Sequence, residues 1–212
     1  MSDPTDLTLD ADLHRRDPDR WLSSRFVTDP AQRARLVALY TLDGEWSRVK
    51  AAAKTPLAGE IRFAWWREAL ERFAAGGPAD HPAIGALGAR AAQDLQLLLQ
   101  QVIDARMDEL EGEQGAASDV ALMAAAARLL DPAAPEAATH HAARAWFAAR
   151  GGMAEEAKRS LATASVSVRA LPVAAFPAVA HVALAPAYAL GRQPGEFGKR
   201  LRITWAVLRG RL

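Results

Sequence analysis

Asp104 and Asp108, four residues apart in IDARMDELEG, are the pair whose spacing most invites chemistry. On a helix they share one face, and carboxylate oxygens so placed suit a hard cation such as Mg²⁺. Arg106 stands between them and Glu109 and Glu111 follow, so an acidic helix end held in surface salt bridges is the competing reading. Asp43, on a different predicted helix, supplies a further carboxylate. A second constellation is Arg62, Trp65 and Trp66 in GEIRFAWWREAL. Arg62 and Arg67 could meet a diphosphate or a lipid headgroup, although Arg67 also has Glu71 one turn away as an ion-pair partner. The two tryptophans lie about 100° apart on a helix and cannot face the same way, so core packing competes with a ligand cavity.

Other chemistry finds little support. The chain has no cysteine, which excludes disulfides, thiolate metal sites and cysteine nucleophiles. His140 and His141 are adjacent and lack the one-turn spacing of a helical zinc pair, while His14, His81 and His181 are isolated. Ser23–Ser24 and Ser165–Ser167 have no histidine partner in a recognisable motif.

The elements that must position these side chains centre on residues 31–73. Leu39, Leu42, Trp46, Val49 and Ala53 recur at steps of three and four, the apolar stripe of an amphipathic helix. Pro56 ends that helix and opens the next, where Ile61, Trp65, Ala69 and Phe73 recur every four residues and Trp66 and Leu70 widen the stripe. Thr28 or Asp29 caps the first of the pair, with Pro30 at its first position. The pattern predicts a long helix over 83–111, stopped by acidic residues, then helices over 120–130, capped by Ser118 or Asp119, and 136–150, the latter ended by Gly151–Gly152. Residues 155–170 read as helix, and 170–191 as an apolar run broken by three prolines and a histidine. The tail is a basic amphipathic helix, with Leu201, Ile203, Trp205 and Leu208 set against Lys199, Arg200, Arg202, Arg209 and Arg211. No stretch alternates long enough for a strand, and alanine is abundant throughout, so the chain reads as all-α. Residues 1–16 read as a flexible arm and 17–212 as one helical domain.

Half the residues are hydrophobic and a quarter charged, an ordinary globular balance, and a net charge of +1 argues against bulk affinity for nucleic acid or for acidic partners. The acidic N-terminus lacks the apolar stretch of a secretory signal, and no uncharged apolar run is long enough to read as a membrane span. A cytoplasmic protein is expected, with peripheral contact to the inner membrane through Arg202, Trp205 and Arg209 of the basic tail.

Several pieces in order, DPDRWLSSRF, ALYTLDGEWSRVK, GEIRFAWWREAL, HPAIGAL and LLQQVIDARMDELEG, resemble the squalene/phytoene synthase family. The resemblance implies a single helical bundle of the isoprenoid synthase type, here shortened in its C-terminal half. It also implies enzymes that join two prenyl diphosphates, with Mg²⁺ held by two aspartate-rich motifs clamping the leaving diphosphate. Aligned on Tyr40, the aspartates of the family's first motif fall on Ser47, Arg48 and Ala51, and its Cys-Arg pair on Asp43 and Gly44. The second motif, which needs asparagine and aspartate, has no counterpart: the chain contains no asparagine and its last aspartate is Asp131. The sequence is more similar to a divergent branch that includes a mitochondrial complex I assembly factor. That similarity lies in Glu45, in Val49–Lys50 and in the Arg62, Trp65, Trp66 signature.

The resemblance thus implies a non-catalytic assembly or lipid-binding factor at a membrane surface. It needs no cofactor, and its partner is a protein or an isoprenoid-like lipid. Asp43, Arg62, Trp65, Trp66, Asp104 and Asp108 are its candidate cavity residues. The alternative is a Mg²⁺-dependent prenyl-diphosphate transferase with Asp43, Asp104 and Asp108 as relocated ligands. A third reading is an all-α interaction module with no ligand.

Overall fold

Four helices start on one local device, a side-chain cap followed by proline. In the computed structural model, which describes residues 4–112 and 115–212, the Asp17 carboxylate accepts from the Arg20 amide (3.0 Å) and opens α2 (Pro18–Ser24). Asp29 does the same for α3 (Pro30–Ser47), accepting from the Ala31 amide at 2.9 Å. The Thr55 hydroxyl caps α5 (Pro56–Ala74) at 3.3 Å, and His81 Nδ1 caps α6 (Pro82–Leu87) at 3.2 Å. In each case the proline fills the first helical position, where its missing N–H is no loss.

The described residues are helices joined by turns and loops, with no strand among them. α3 runs buried through the bundle, with every residue from Leu36 to Asp43 out of solvent. It ends at Ser47; after a turn at Arg48 the chain resumes as the single turn α4 (Val49–Ala52), so the expected continuous stripe is jointed, with Leu39, Leu42, Trp46 and Val49 still buried. The long helix expected over 83–111 is likewise divided into α6, α7 (Ala89–Asp94) and α8 (Gln96–Asp108), followed by a 3₁₀ turn over Glu109–Glu111. Gly88 makes the first break, with φ 86° and ψ 140°, a conformation open essentially to glycine alone. α9 (Ala117–Leu130) and α10 (Glu136–Arg150) form the centre, packed against each other, with α8 on one side and α11 (Ala154–Ser167) on the other. Their contact faces are largely alanine, which lets the backbones approach closely.

Beyond α11 the prolines prevent a regular helix. Residues 173–184 form successive 3₁₀ turns that bury Phe176, Val179, Val182 and Leu184, before the short α12 (Ala185–Ala189) and α13 (Glu196–Arg209). The Ser23 hydroxyl donates to the Pro177 carbonyl at 2.6 Å and pins these turns to α2.

Three expectations change. Residues 1–3 of the expected arm lie outside the described residues, and the rest is not a loose arm: Pro4–Arg16 is helix α1, and Leu9 and Leu13 are buried in the core. In α5 the buried face is Gly59, Phe63, Trp66, Ala69 and Leu70, while Ile61 is 62% and Trp65 41% exposed. A row spaced by four drifts about 40° per step around a helix, whereas the alternating row 59, 63, 66, 70 holds its direction. In α13 Ile203 and Ala206 are buried, and Leu201, Trp205 and Leu208 face solvent with Phe197.

Candidate functional site

Where α1, α2, α3, α8, α9 and α10 converge, they leave a cleft of about 600 Å³. Its walls include Arg20, Tyr40, Asp43, Ser47, Arg48, Arg106, Asp119 and Arg150. Arg20, 4% exposed, is the hub. Its guanidinium donates to Asp43 Oδ2 at 3.1 Å, to Asp119 Oδ1 at 2.5 Å and to Asp17 Oδ2 at 3.4 Å, and lies 5.5 Å from the Tyr40 ring. Arg106 takes the other oxygen of Asp43, with Nη2 at 2.7 Å and Nε at 3.2 Å from Oδ1, and reaches Glu109 at 3.0 Å. Ser118 completes the row by donating to Glu109 at 3.1 Å.

The electrostatics follow from this alternation. Burial alone would lower the pKa of Arg20, but Asp17, Asp119 and Asp43 outweigh it and hold the guanidinium more firmly charged than usual. Arg106 is shifted the same way, with Asp43 and Glu109 overcoming its burial. Burial, outweighing Arg20, pushes the Tyr40 phenol up, and its hydroxyl, without a hydrogen-bond partner among the described residues, stays neutral.

The residues present do not fit a magnesium clamp. Both oxygens of Asp43 are taken by arginines. The Ser47 hydroxyl donates to the Gly44 carbonyl at 3.1 Å, Arg48 pairs with Glu45, and Ala51 offers no ligand atom. The turn at Arg48 also ends the helix on which a row of carboxylates would have to share one face. Among the described residues no group of three or more His, Asp or Glu side chains is placed to hold a metal ion.

Asp104 and Asp108 do share a helix face, but it is not this one. They line a separate groove of about 830 Å³ between α8, α9 and α10, where Val120, Ala121, Ala124 and His140 form much of the wall. Arg106, two residues on from Asp104 and so about 200° around the helix, points into the cleft instead. The structure therefore does not bring Asp43 together with Asp104 and Asp108. Asp104 pairs with Arg67, which leaves Glu71 to accept from Gln100 at 3.3 Å rather than to pair with Arg67. Arg62 is exposed, and neither it nor Trp65 nor Trp66 lines the cleft. Trp66 packs edge-on against Trp46, with ring centroids 6.2 Å apart, and serves the core. The sequence marks none of Arg20, Arg106 and Asp119 as a cavity residue, Arg106 entering it only as the neighbour of Asp104 and Asp108; Arg20 and Asp119 are 99 positions apart, a separation no periodicity can register.

The squalene/phytoene synthase family model matches residues 13–124, a span that holds Arg20, Tyr40, Asp43, Arg48, Arg106 and Asp119. No curated protein and no solved structure matches the chain.

Proposed function

The chain belongs to the squalene/phytoene synthase family, and on that premise we propose that it is a non-catalytic member, a binding or assembly factor working at a membrane surface. The observation that carries this reading is Asp43, the one acidic residue at the five aligned Cys, Arg and Asp positions of the motif, with one oxygen held by the buried Arg20 and the other by the partly buried Arg106. A diphosphate-releasing site needs free carboxylates to gather divalent cations around developing negative charge. Here the carboxylates are neutralised from within, and an arginine stands at an aspartate position of the family's first motif.

Two of the residues that link the chain to the assembly-factor branch, Glu45 and Lys50, make polar contacts. Glu45 pairs with Arg48, and Lys50 Nζ donates to the Glu109 carbonyl at 2.5 Å, tying α4 to the turn after α8. These contacts support a role in which the former substrate side of the bundle is braced, and the work is done by capturing a partner, as in the assembly of a respiratory complex. A cleft walled by so many charged groups also suits a polar partner better than an isoprenoid tail, which gains only from apolar walls. The membrane-surface part of the proposal rests on the basic tail; no helix among the described residues is long and apolar enough to cross a membrane.

Calorimetric titration with farnesyl and geranylgeranyl diphosphate, with and without Mg²⁺, tests the reading. No magnesium-dependent heat is expected. Tight magnesium-dependent binding, or release of diphosphate, would overturn it and restore the transferase alternative, in which Asp104→Ala would abolish turnover.

A further inference from the structure

α13 is amphipathic in an unusual sense: one side is already docked and the other is apolar as well. Ile203 and Ala206 are buried against the 3₁₀ turns of residues 180–184. On the opposite side Phe197 is 80%, Leu201 59%, Trp205 53% and Leu208 75% exposed. At about 100° per residue these four side chains fall within an arc of about 80°. Arg202 and Arg209 border the arc on one edge and Arg200 on the other, all exposed. Monomeric surfaces seldom leave so many large apolar side chains together without a use.

Charge decides what covers this face. Residues 196–211 carry five cations and one anion in a chain whose net charge is only +1, so the rest of the molecule is net acidic. Elsewhere arginines are generally engaged: Arg67, Arg72, Arg90, Arg106, Arg128 and Arg144 each pair with a carboxylate. Arg200, Arg202 and Arg209 have no such partner among the described residues; Arg209 lies over the Trp205 ring, 4.1 Å from its centroid. By contrast α5 also exposes Leu57, Ile61 and Trp65, but Glu60 and Glu68 stand beside Arg62 there and the field has no single sign.

We propose that the exposed face of α13 is an in-plane membrane-docking surface selective for anionic phospholipid. Phe197, Leu201, Trp205 and Leu208 enter the boundary between headgroups and acyl chains, and the flanking arginines extend to the lipid phosphates. Because Ile203 and Ala206 already anchor the helix to the bundle, it docks as a rigid edge and need not fold on the membrane. The inference deepens the membrane-surface element of the proposed function and rests on it. None of the α13 residues lines the cleft, so the diphosphate titration and the vesicle experiment fail independently.

The test is flotation of the full chain with phosphatidylcholine vesicles, with and without phosphatidylglycerol. The wild type is expected to float with the anionic vesicles and lose binding as salt rises. Leu201→Glu with Leu208→Glu, both at exposed positions, should weaken binding roughly tenfold or more while leaving the far-ultraviolet circular dichroism unchanged. Each of Arg200→Gln, Arg202→Gln and Arg209→Gln should cost about fivefold on anionic vesicles and little on neutral ones. No binding by the folded wild type, or equal binding by the double glutamate variant, would overturn the proposal. A dimer seen by sedimentation equilibrium that the same double variant dissolves would also overturn it, by assigning the face to a second copy.

Discussion

At the scale of single residues, the molecule places its strongest constraint on Arg20. Its three carboxylate partners come from α3, α9 and the cap of α2, and all are desolvated to some degree. Arg20→Ala would leave Asp43 and Asp119 in the interior with one partner fewer, and breaking a buried network this way costs about 3–5 kcal/mol. Urea denaturation followed by circular dichroism reads that loss directly. His181 sets a pH dependence of its own. It is 1% exposed, its ring centroid sits 4.8 Å from that of Trp146, and neither ring nitrogen has a hydrogen-bond partner among the described residues. Burial, then the fields of Arg20 and Arg150, hold its pKa well below the ordinary 6.5. The unfolded chain therefore takes up a proton at His181 as pH falls through 6.5 while the folded chain does not. Stability contributed by this group is complete above that pH and declines below it, by up to about 1.4 kcal/mol per pH unit until the folded pKa is reached. Urea midpoints near neutrality and near pH ~5 should show that decline, and His181→Gln should flatten it.

At the scale of elements, the joints between helices matter as much as the helices. Gly88 separates α6 from α7 in a conformation that side chains avoid, and a Cβ built there meets nothing closer than Arg35 Nε at 3.9 Å. Gly88→Ala should thus destabilise by about 1–3 kcal/mol through backbone strain alone, with no clash to relieve; equilibrium unfolding measures it. Gly59 differs, because its Cβ would come within 2.6 Å of the Leu110 side chain, where α5 packs against the turn after α8. These joints mark what the sequence could and could not convey. Asp17–Pro18, Asp29–Pro30 and Thr55–Pro56 announce helix starts because cap and proline act on neighbouring backbone. The buried stripe of α3 is legible for the same local reason. The rotation of α5 is not, because Ile61 and Phe63 are both apolar and the packing of α4, α7 and α8 decides which faces inward. Asp104 and Asp108 share a face as their spacing says, yet spacing is silent on whether that face looks into the cleft or the outer groove. Leu9 and Leu13 look like part of an acidic tail until α3 is there to receive them.

At the scale of the whole molecule, the two ends of the chain are fastened together at Asp19. Tyr188 donates to its Oδ2 at 2.6 Å, and Lys199 pairs with its Oδ1 at 2.9 Å. Burial and the neighbouring Asp19 carboxylate push the Tyr188 phenol up to about 12, so this clasp keeps its proton through the physiological range. Lys199→Ala with Tyr188→Phe should open it, and amide hydrogen exchange should quicken in α2 and α13 together; faster exchange in α13 alone would show that the two segments are not coupled. The clasp also has a consequence in time. A ribosome delivers Asp19 first and Lys199 some 180 residues later, on the order of ten seconds or more at ordinary rates of synthesis. For that interval α2 packs on α1 and α3 alone, the Ser23 hydroxyl has no Pro177 carbonyl to meet until the 3₁₀ turns are made, and α9, once made, waits for the same turns to cover it. Surfaces that α2 and α9 bury in the finished bundle are thus open to chaperones while the chain is being made, and the clasp closes only after α13, the face proposed to meet the membrane, is delivered.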